Sequence, residues 1–233
     1  MIKKIKVVTR ICAVVVPMSL VNVVPVFANE TSKQELISAT QNVIKSEESE
    51  LPFSEEGSAL VARDLDTTVK VEQITTGEVA VTLTDAASET VGFILPDTTN
   101  ELSLEGGTTP VVVGEFNIDF VAHADSNSAQ IHAVLKNRNA AEKIEYPLYG
   151  ADLVEVTEDG SALLYEEGEF VGYVQAPWAV DGNGRSVKTY FETDGHSLTQ
   201  VVLHKAEDYA YPIVADPDWG TIWEGIKQSG KKI

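Results

Sequence analysis

The chain has 233 residues, 43% of them hydrophobic and 23% charged, the balance of a globular protein with room for a sizeable core. Its formal net charge is −19, and four of its 17 basic residues (Lys3, Lys4, Lys6 and Arg10) stand in the first ten positions; without them 13 basic residues face 36 acidic ones, a net charge of −23. Such a surface repels phosphate backbones and anionic headgroups, which sets nucleic acid aside as a partner.

Residues 1–28 have the three parts of a secretory signal peptide. Met1 to Arg10 is cationic, Ile11 to Val24 is apolar, and Val26-Phe27-Ala28 supplies the positions before a cut, placing cleavage after Ala28. The apolar run carries Pro17 and Asn22 and is shorter than the roughly 20 residues of a span, so the mature chain is expected to have no stable membrane segment. Cys12, the one cysteine, lies inside this leader without a lipoprotein pattern around it. The mature chain is then cysteine-free, without disulfides, a thiol nucleophile or a cysteine metal site, which suits the exterior of a Gram-positive bacterium.

Residues 29–58 are expected to form a helical and acidic spacer. Leu36, Ile37, Thr40, Val43 and Ile44 make the stripe of an amphipathic helix from about Ser32 to Ser46, and Glu47 to Glu50 followed by Pro52 end it.

A β-rich domain is expected over 59–217. Val69 and Val71, then Val79, Val81 and Leu83, alternate on either side of Thr75-Thr-Gly77 and predict a hairpin. Val91 to Leu95 and Pro110 to Val113 are compact apolar strands; Phe116, Ile118 and Phe120 alternate with Asn117 and Asp119, and Ile131, Ala133 and Leu135 alternate with His132 and Val134. Leu153 to Val156 and Ala162 to Tyr165 flank Glu158-Asp-Gly160, where glycine supplies a positive φ cheaply. Phe170 to Val174 follows, and Ser186 to Thr193 and Ser197 to His204 pair across Asp194-Gly195. The fold class expected is mainly β, a multi-stranded antiparallel sandwich or irregular sheet, with a short N-terminal helix and a short C-terminal amphipathic helix.

The stretch Ala176-Pro-Trp-Ala-Val-Asp-Gly-Asn-Gly-Arg-Ser-Val187, with Gly195-His-Ser-Leu-Thr-Gln-Val-Val202 and Tyr211-Pro-Ile-Val-Ala-Asp-Pro217, resembles a set of uncharacterised secreted proteins of actinobacteria and other Gram-positive bacteria. The likeness covers about residues 144 to 217 and departs at Lys188, where proline is expected, and at Leu203, where aspartate is. It implies an extracellular location and brings no activity with it. Physically the motif reads as architecture: Pro177 suits a strand end, Trp178 covers a core, Asp181 to Gly184 is a turn, and Asp216 accepts backbone N–H groups or caps the following segment. Its sharper reading is an aromatic binding surface for carbohydrate or peptide made by Trp178, Tyr190 and Tyr173.

Catalytic patterns are missing from the sequence. His123, His132, His196 and His204 do not have the helical i, i+4 spacing of a zinc site, Gly-x-Ser-x-Gly does not occur, and Arg185 stands where a calcium loop needs a ligand. No catalytic residue, metal or cofactor is expected, and the chain reads as a non-enzyme.

The tail, 218–233, places Trp219, Ile222, Trp223 and Ile226 at i, i+3, i+4 and i+7, with Lys227, Lys231 and Lys232 near the end and Asp218 as N-cap, which predicts an amphipathic helix. Three functions follow in order. The first is a secreted structural or interaction module, with a cell-wall or protein partner, that displays this helix. The second is a precursor whose C-terminal peptide is cut off after Ala215-Asp-Pro217 and acts on membranes or receptors. The third and weakest is a cell-wall carbohydrate-binding or hydrolytic domain.

Overall fold

The computed structural model describes residues 32–41, 50–75 and 77–220. The expected leader with Cys12 and the cut after Ala28, Thr76, and tail residues Ile222, Trp223 and Ile226 lie outside them. In chain order the described elements are α1 (Lys33–Gln41), β1 (Ser54–Glu56), β2 (Ala59–Arg63), β3 (Thr68–Thr75), β4 (Glu78–Thr84), β5 (Thr90–Leu95), β6 (Thr98–Glu105), β7 (Thr109–Gly114), β8 (Ile118–Ala124), β9 (Ser128–Leu135), β10 (Lys143–Tyr149), β11 (Leu153–Val156), β12 (Ala162–Glu166), β13 (Glu169–Val174), β14 (Ala179–Val180), β15 (Thr189–Thr193), β16 (Ser197–Val202), β17 (Ile213–Ala215) and β18 (Asp218–Gly220).

The strands form two antiparallel sheets. One has the order β1-β2-β3-β4-β5-β10-β16-β15, the other β11-β12-β13-β18-β9-β8-β7-β6, with β17 laid on β9 and β14 on β17. Their inner faces share one core, in which Val69, Val71, Val81, Leu83 and Phe93 of the first sheet meet Phe120, Ile131, Ala133 and Leu135 of the second. The period of two explains the second sheet's other face: Val121 and Val134 point away from the core, and with Val111 they take up Leu36 and Ile37 of α1. Of the expected apolar stripe, Leu36, Ile37 and Thr40 are buried, while Val43 and Ile44 lie outside the described residues.

The hairpins expected at Glu158-Asp-Gly160 and Asp194-Gly195 are β11–β12 and β15–β16, and that expected around Thr75 to Gly77 is β3–β4. The strands run further than expected at both ends: β1 begins at Ser54, inside 29–58, and β18 ends at Gly220, beyond 217.

The expected start of the C-terminal helix at Asp218 is corrected. Asp218 to Gly220 is a strand, with Trp219 opposite Ala129 of β9 and Val174 of β13. Two neighbours satisfy its backbone groups, and the Trp219 ring is fully buried, edge-on to Phe93 at 5.1 Å between centroids. Filling the core outweighs the weak helical preference of a segment that begins Asp-Trp-Gly. Among the described residues no helix is long and apolar enough to cross a membrane.

Candidate functional site

A groove of about 600 Å³ is lined by residues of both sheets, from the β5–β6 connection that crosses between them, the β7–β8 turn, strand β10 and the β15–β16 pair. Pro96 and Asp97 come from the β5–β6 turn, Glu115 and Phe116 from the β7–β8 turn, Lys143 to Pro147 from β10, and Glu192 and Thr199 from the β15–β16 pair. Ile118, Phe120 and Ile144 form its apolar floor. Its rim is acidic: Asp97, Glu115, Glu145 and Glu192 are all exposed. Lys143 is matched to Glu192 at 2.6 Å, while Asp97, Glu115 and Glu145 have no ion-pair partner among the described residues.

The rim is also where the backbone departs from the common conformations. Asp97, Phe116 and Asn117 have φ of 46°, 50° and 63°. Asparagine and aspartate tolerate this region; a bulky aromatic is an outlier that costs about 1 kcal/mol or more. Phe116 is nevertheless 59% exposed, so burial of its ring does not compensate.

What holds the turn is the framework beneath it. Glu115 N–H donates to Asp97 O at 2.7 Å, and Lys136 N–H to Asn117 O at 2.9 Å. The Asn137 amide donates to Asn117 Oδ1 at 3.0 Å. Buried Asp119 accepts Gly114 N–H at 3.1 Å and Lys136 Nζ at 3.0 Å through the same oxygen. Gly114 permits the close approach, since a Cβ there would stand 2.2 Å from Ile118 O.

The residues expected to form an aromatic surface are placed apart. Trp178 is half-buried and packs edge-on to His132 at 5.5 Å, Tyr173 lies on β13 in the second sheet, and Tyr190 is exposed on β15 at the edge of the first. No ring contact joins any two of them among the described residues.

The motif that contains Trp178 does have an ordered polar interior. Asp216 accepts Trp178 N–H and the Gln130 amide, each at 3.1 Å, clasping two parts of the motif 38 residues apart. Asp181 accepts the N–H groups of Asn183, Arg185 and Ala210, which makes the Asp-Gly-Asn-Gly turn. Burial pushes the Asp216 carboxyl up to about 7, against the opposing pull of the Trp178 N–H. It pushes Asp218 up to about 7 as well, with the Asp125 charge adding to it. His132, fully enclosed and beside His123, is held well below the usual imidazole range, first by burial and then by its neighbour's charge. Neither of its ring nitrogens has a hydrogen-bond partner among the described residues. His123 instead meets Glu50 at 2.7 Å, and His204 meets the Tyr211 hydroxyl at 2.7 Å. No group of three or more His, Cys, Asp or Glu that could hold a metal occurs among the described residues. Asp216, His132 and His204 are enclosed, whereas the groove presents to solvent an apolar floor under carboxylates that have no ion-pair partner among the described residues. Comparison with protein-family models, curated proteins and solved structures finds no match.

Proposed function

We propose that the chain is an extracellular, non-enzymatic interaction module, and that the groove takes a segment carrying lysine or arginine next to an apolar side chain. The observation that carries the reading is Phe116: an exposed aromatic in a left-handed backbone conformation, at the tip of an acid-rimmed groove. Strain of this kind persists where the surrounding structure over-determines it and collects at ligand clamps. The floor supplies hydrophobic contact and Asp97, Glu115 and Glu145 supply charge, the pairing that selects a basic and apolar partner over an acidic one. Secretion is supported by the cationic, apolar and Val26-Phe27-Ala28 parts of the leader.

The precursor reading is weakened by Trp219. A cut after Pro217 would remove β18 and with it a fully buried tryptophan from the shared core. The test of the groove is fluorescence anisotropy of labelled decapeptides on the chain from residue 29 to 233. Peptides combining lysine with tryptophan or phenylalanine are expected to bind with an affinity that falls as salt rises. Equal binding of basic and acidic peptides of the same apolar content would overturn the reading.

A further inference from the structure

We infer that the groove binds its partner by strand addition: an extended peptide with alternating apolar and basic side chains pairs with the open backbone edge of β10. The inference rests on the groove reading and adds the conformation and side-chain pattern of the ligand. β10 pairs with β16 along Lys143 to Pro147, but with β5 at Leu148 and Tyr149 alone. Two prolines explain why that second ladder stops. Continued toward the groove, the register of Leu148 on Phe93 would set Pro147 opposite Ile94 and Glu145 opposite Pro96, and neither proline has an N–H to donate. β5 ends at Leu95, and the chain crosses at Pro96-Asp97 into the other sheet.

The alternation of an antiparallel ladder fixes which backbone groups are left over. The C=O of Glu142 accepts Val202 N–H at 2.7 Å, and Leu148 N–H donates to His196 O at 3.4 Å, so the even-numbered residues here turn their backbone groups to β16. The N–H and C=O of Lys143 and Glu145 therefore point along the sheet to the other side, where no described strand pairs with them. Both residues line the groove. A strand laid there makes main-chain bonds to this edge, which supply affinity in strand addition, and its side chains alternate between two surroundings. Those beside buried Ile144 turn inward onto Ile118 and Phe120, and those beside exposed Glu145 turn outward among the carboxylates of the rim. The ligand so specified is a strand in which each basic residue has apolar neighbours on either side; a helix carrying the same residues leaves the edge unpaired.

Fluorescence anisotropy of a labelled (Lys-Phe)5 decapeptide on the chain from residue 29 to 233 tests this, with a single N-methyl group placed in turn on each central residue. Successive N–H groups of a strand point to opposite sides, so one alternate set faces β10 and the other does not. N-methylation within one set, lysine or phenylalanine, is expected to weaken binding at least about tenfold, and within the other by less than about twofold. Equal losses in both sets, or no loss in either, overturn the inference and leave the groove reading standing; failure of the unmethylated peptide to bind overturns both. A second arm reads amide hydrogen exchange residue by residue by NMR, with and without saturating peptide. Lys143 and Glu145 are expected to exchange at least about tenfold more slowly in the complex. Unchanged exchange at these two amides, or protection gained only on the outer edge strands β1 or β15, overturns the inference.

Discussion

Lys136 Nζ stands 3.0 Å from Asp119 Oδ1, and the same oxygen accepts the backbone N–H of Gly114. One buried carboxylate therefore fixes both strands that lead into the β7–β8 turn, and the position of Phe116 depends on it. Lys136→Met leaves the carboxylate enclosed without its cation, at an expected loss of about 3 kcal/mol. Chemical denaturation measures this, and a loss under about 0.5 kcal/mol, the level of an exposed ion pair, contradicts the account.

Phe116 itself should trade stability against binding. Phe116→Gly relieves the left-handed strain and is expected to stabilise the fold by about 1 kcal/mol. The same change removes the aromatic from the groove rim and weakens binding of a basic, apolar peptide. A thermal melt and an anisotropy titration of this variant read the two effects separately; a loss of stability with unchanged binding would assign Phe116 to packing.

Trp219 reports on where the domain ends. Its ring is fully buried against Phe93, so Trp219→Ala should cost about 3–5 kcal/mol. A chain stopped after Pro217 loses the whole strand and is expected not to give a cooperative melt. Should that shortened chain melt as the longer one does, β18 would be an appendage and release of a C-terminal peptide would regain support.

The buried acids set part of the response to pH. Asp216 and Asp218 titrate near 7 in the fold and in the ordinary carboxylate range, about 3.9, when unfolded. Between those values the folded chain keeps protons that the unfolded chain releases, so their contribution to stability falls as pH rises from about 4 to about 7 and is level above it. His132 acts in the opposite sense. Enclosed in its neutral form, it supports the fold above about pH 6.5 and weakens it as pH falls through the imidazole range. Asp216→Asn with Asp218→Asn removes only the first contribution. Relative to the parent, the melting temperature of this variant should gain more at pH 8 than at pH 5, and parallel profiles for the two proteins would rule the carboxyls out.

The hairpins were legible where turn chemistry and alternation agree, as at Asp159-Gly160 between Val154 and Leu164. The N-terminal helix was legible from Leu36, Ile37 and Thr40, although its docking on Val121 and Val134 depends on contacts that spacing along the chain does not encode. Trp219 misled because three strand residues are too few to show a period, while the tryptophan and isoleucines after it match a helical one. The groove was not legible. Its lining comes from turns and strands between Pro96 and Thr199 that only the sheet order brings together. The one local sign was Phe116-Asn117 at a position where a tight hairpin favours Asn-Gly, and the alternation of Phe116 with Ile118 and Phe120 hid it by extending the strand through the turn.

The most direct measurement of the central claim compares two charge reversals of equal size. Glu115→Lys with Glu145→Lys alters the groove rim, whereas Glu166→Lys with Glu169→Lys alters exposed carboxylates on the β12–β13 hairpin. Anisotropy of one labelled Lys- and Trp-containing peptide, at fixed salt, is expected to show at least about tenfold weaker binding to the first variant, a difference of about 1.4 kcal/mol, and close to parental binding to the second. Equal weakening by both would show that the peptide senses only the overall negative charge, and would contradict the assignment of the groove as the binding site.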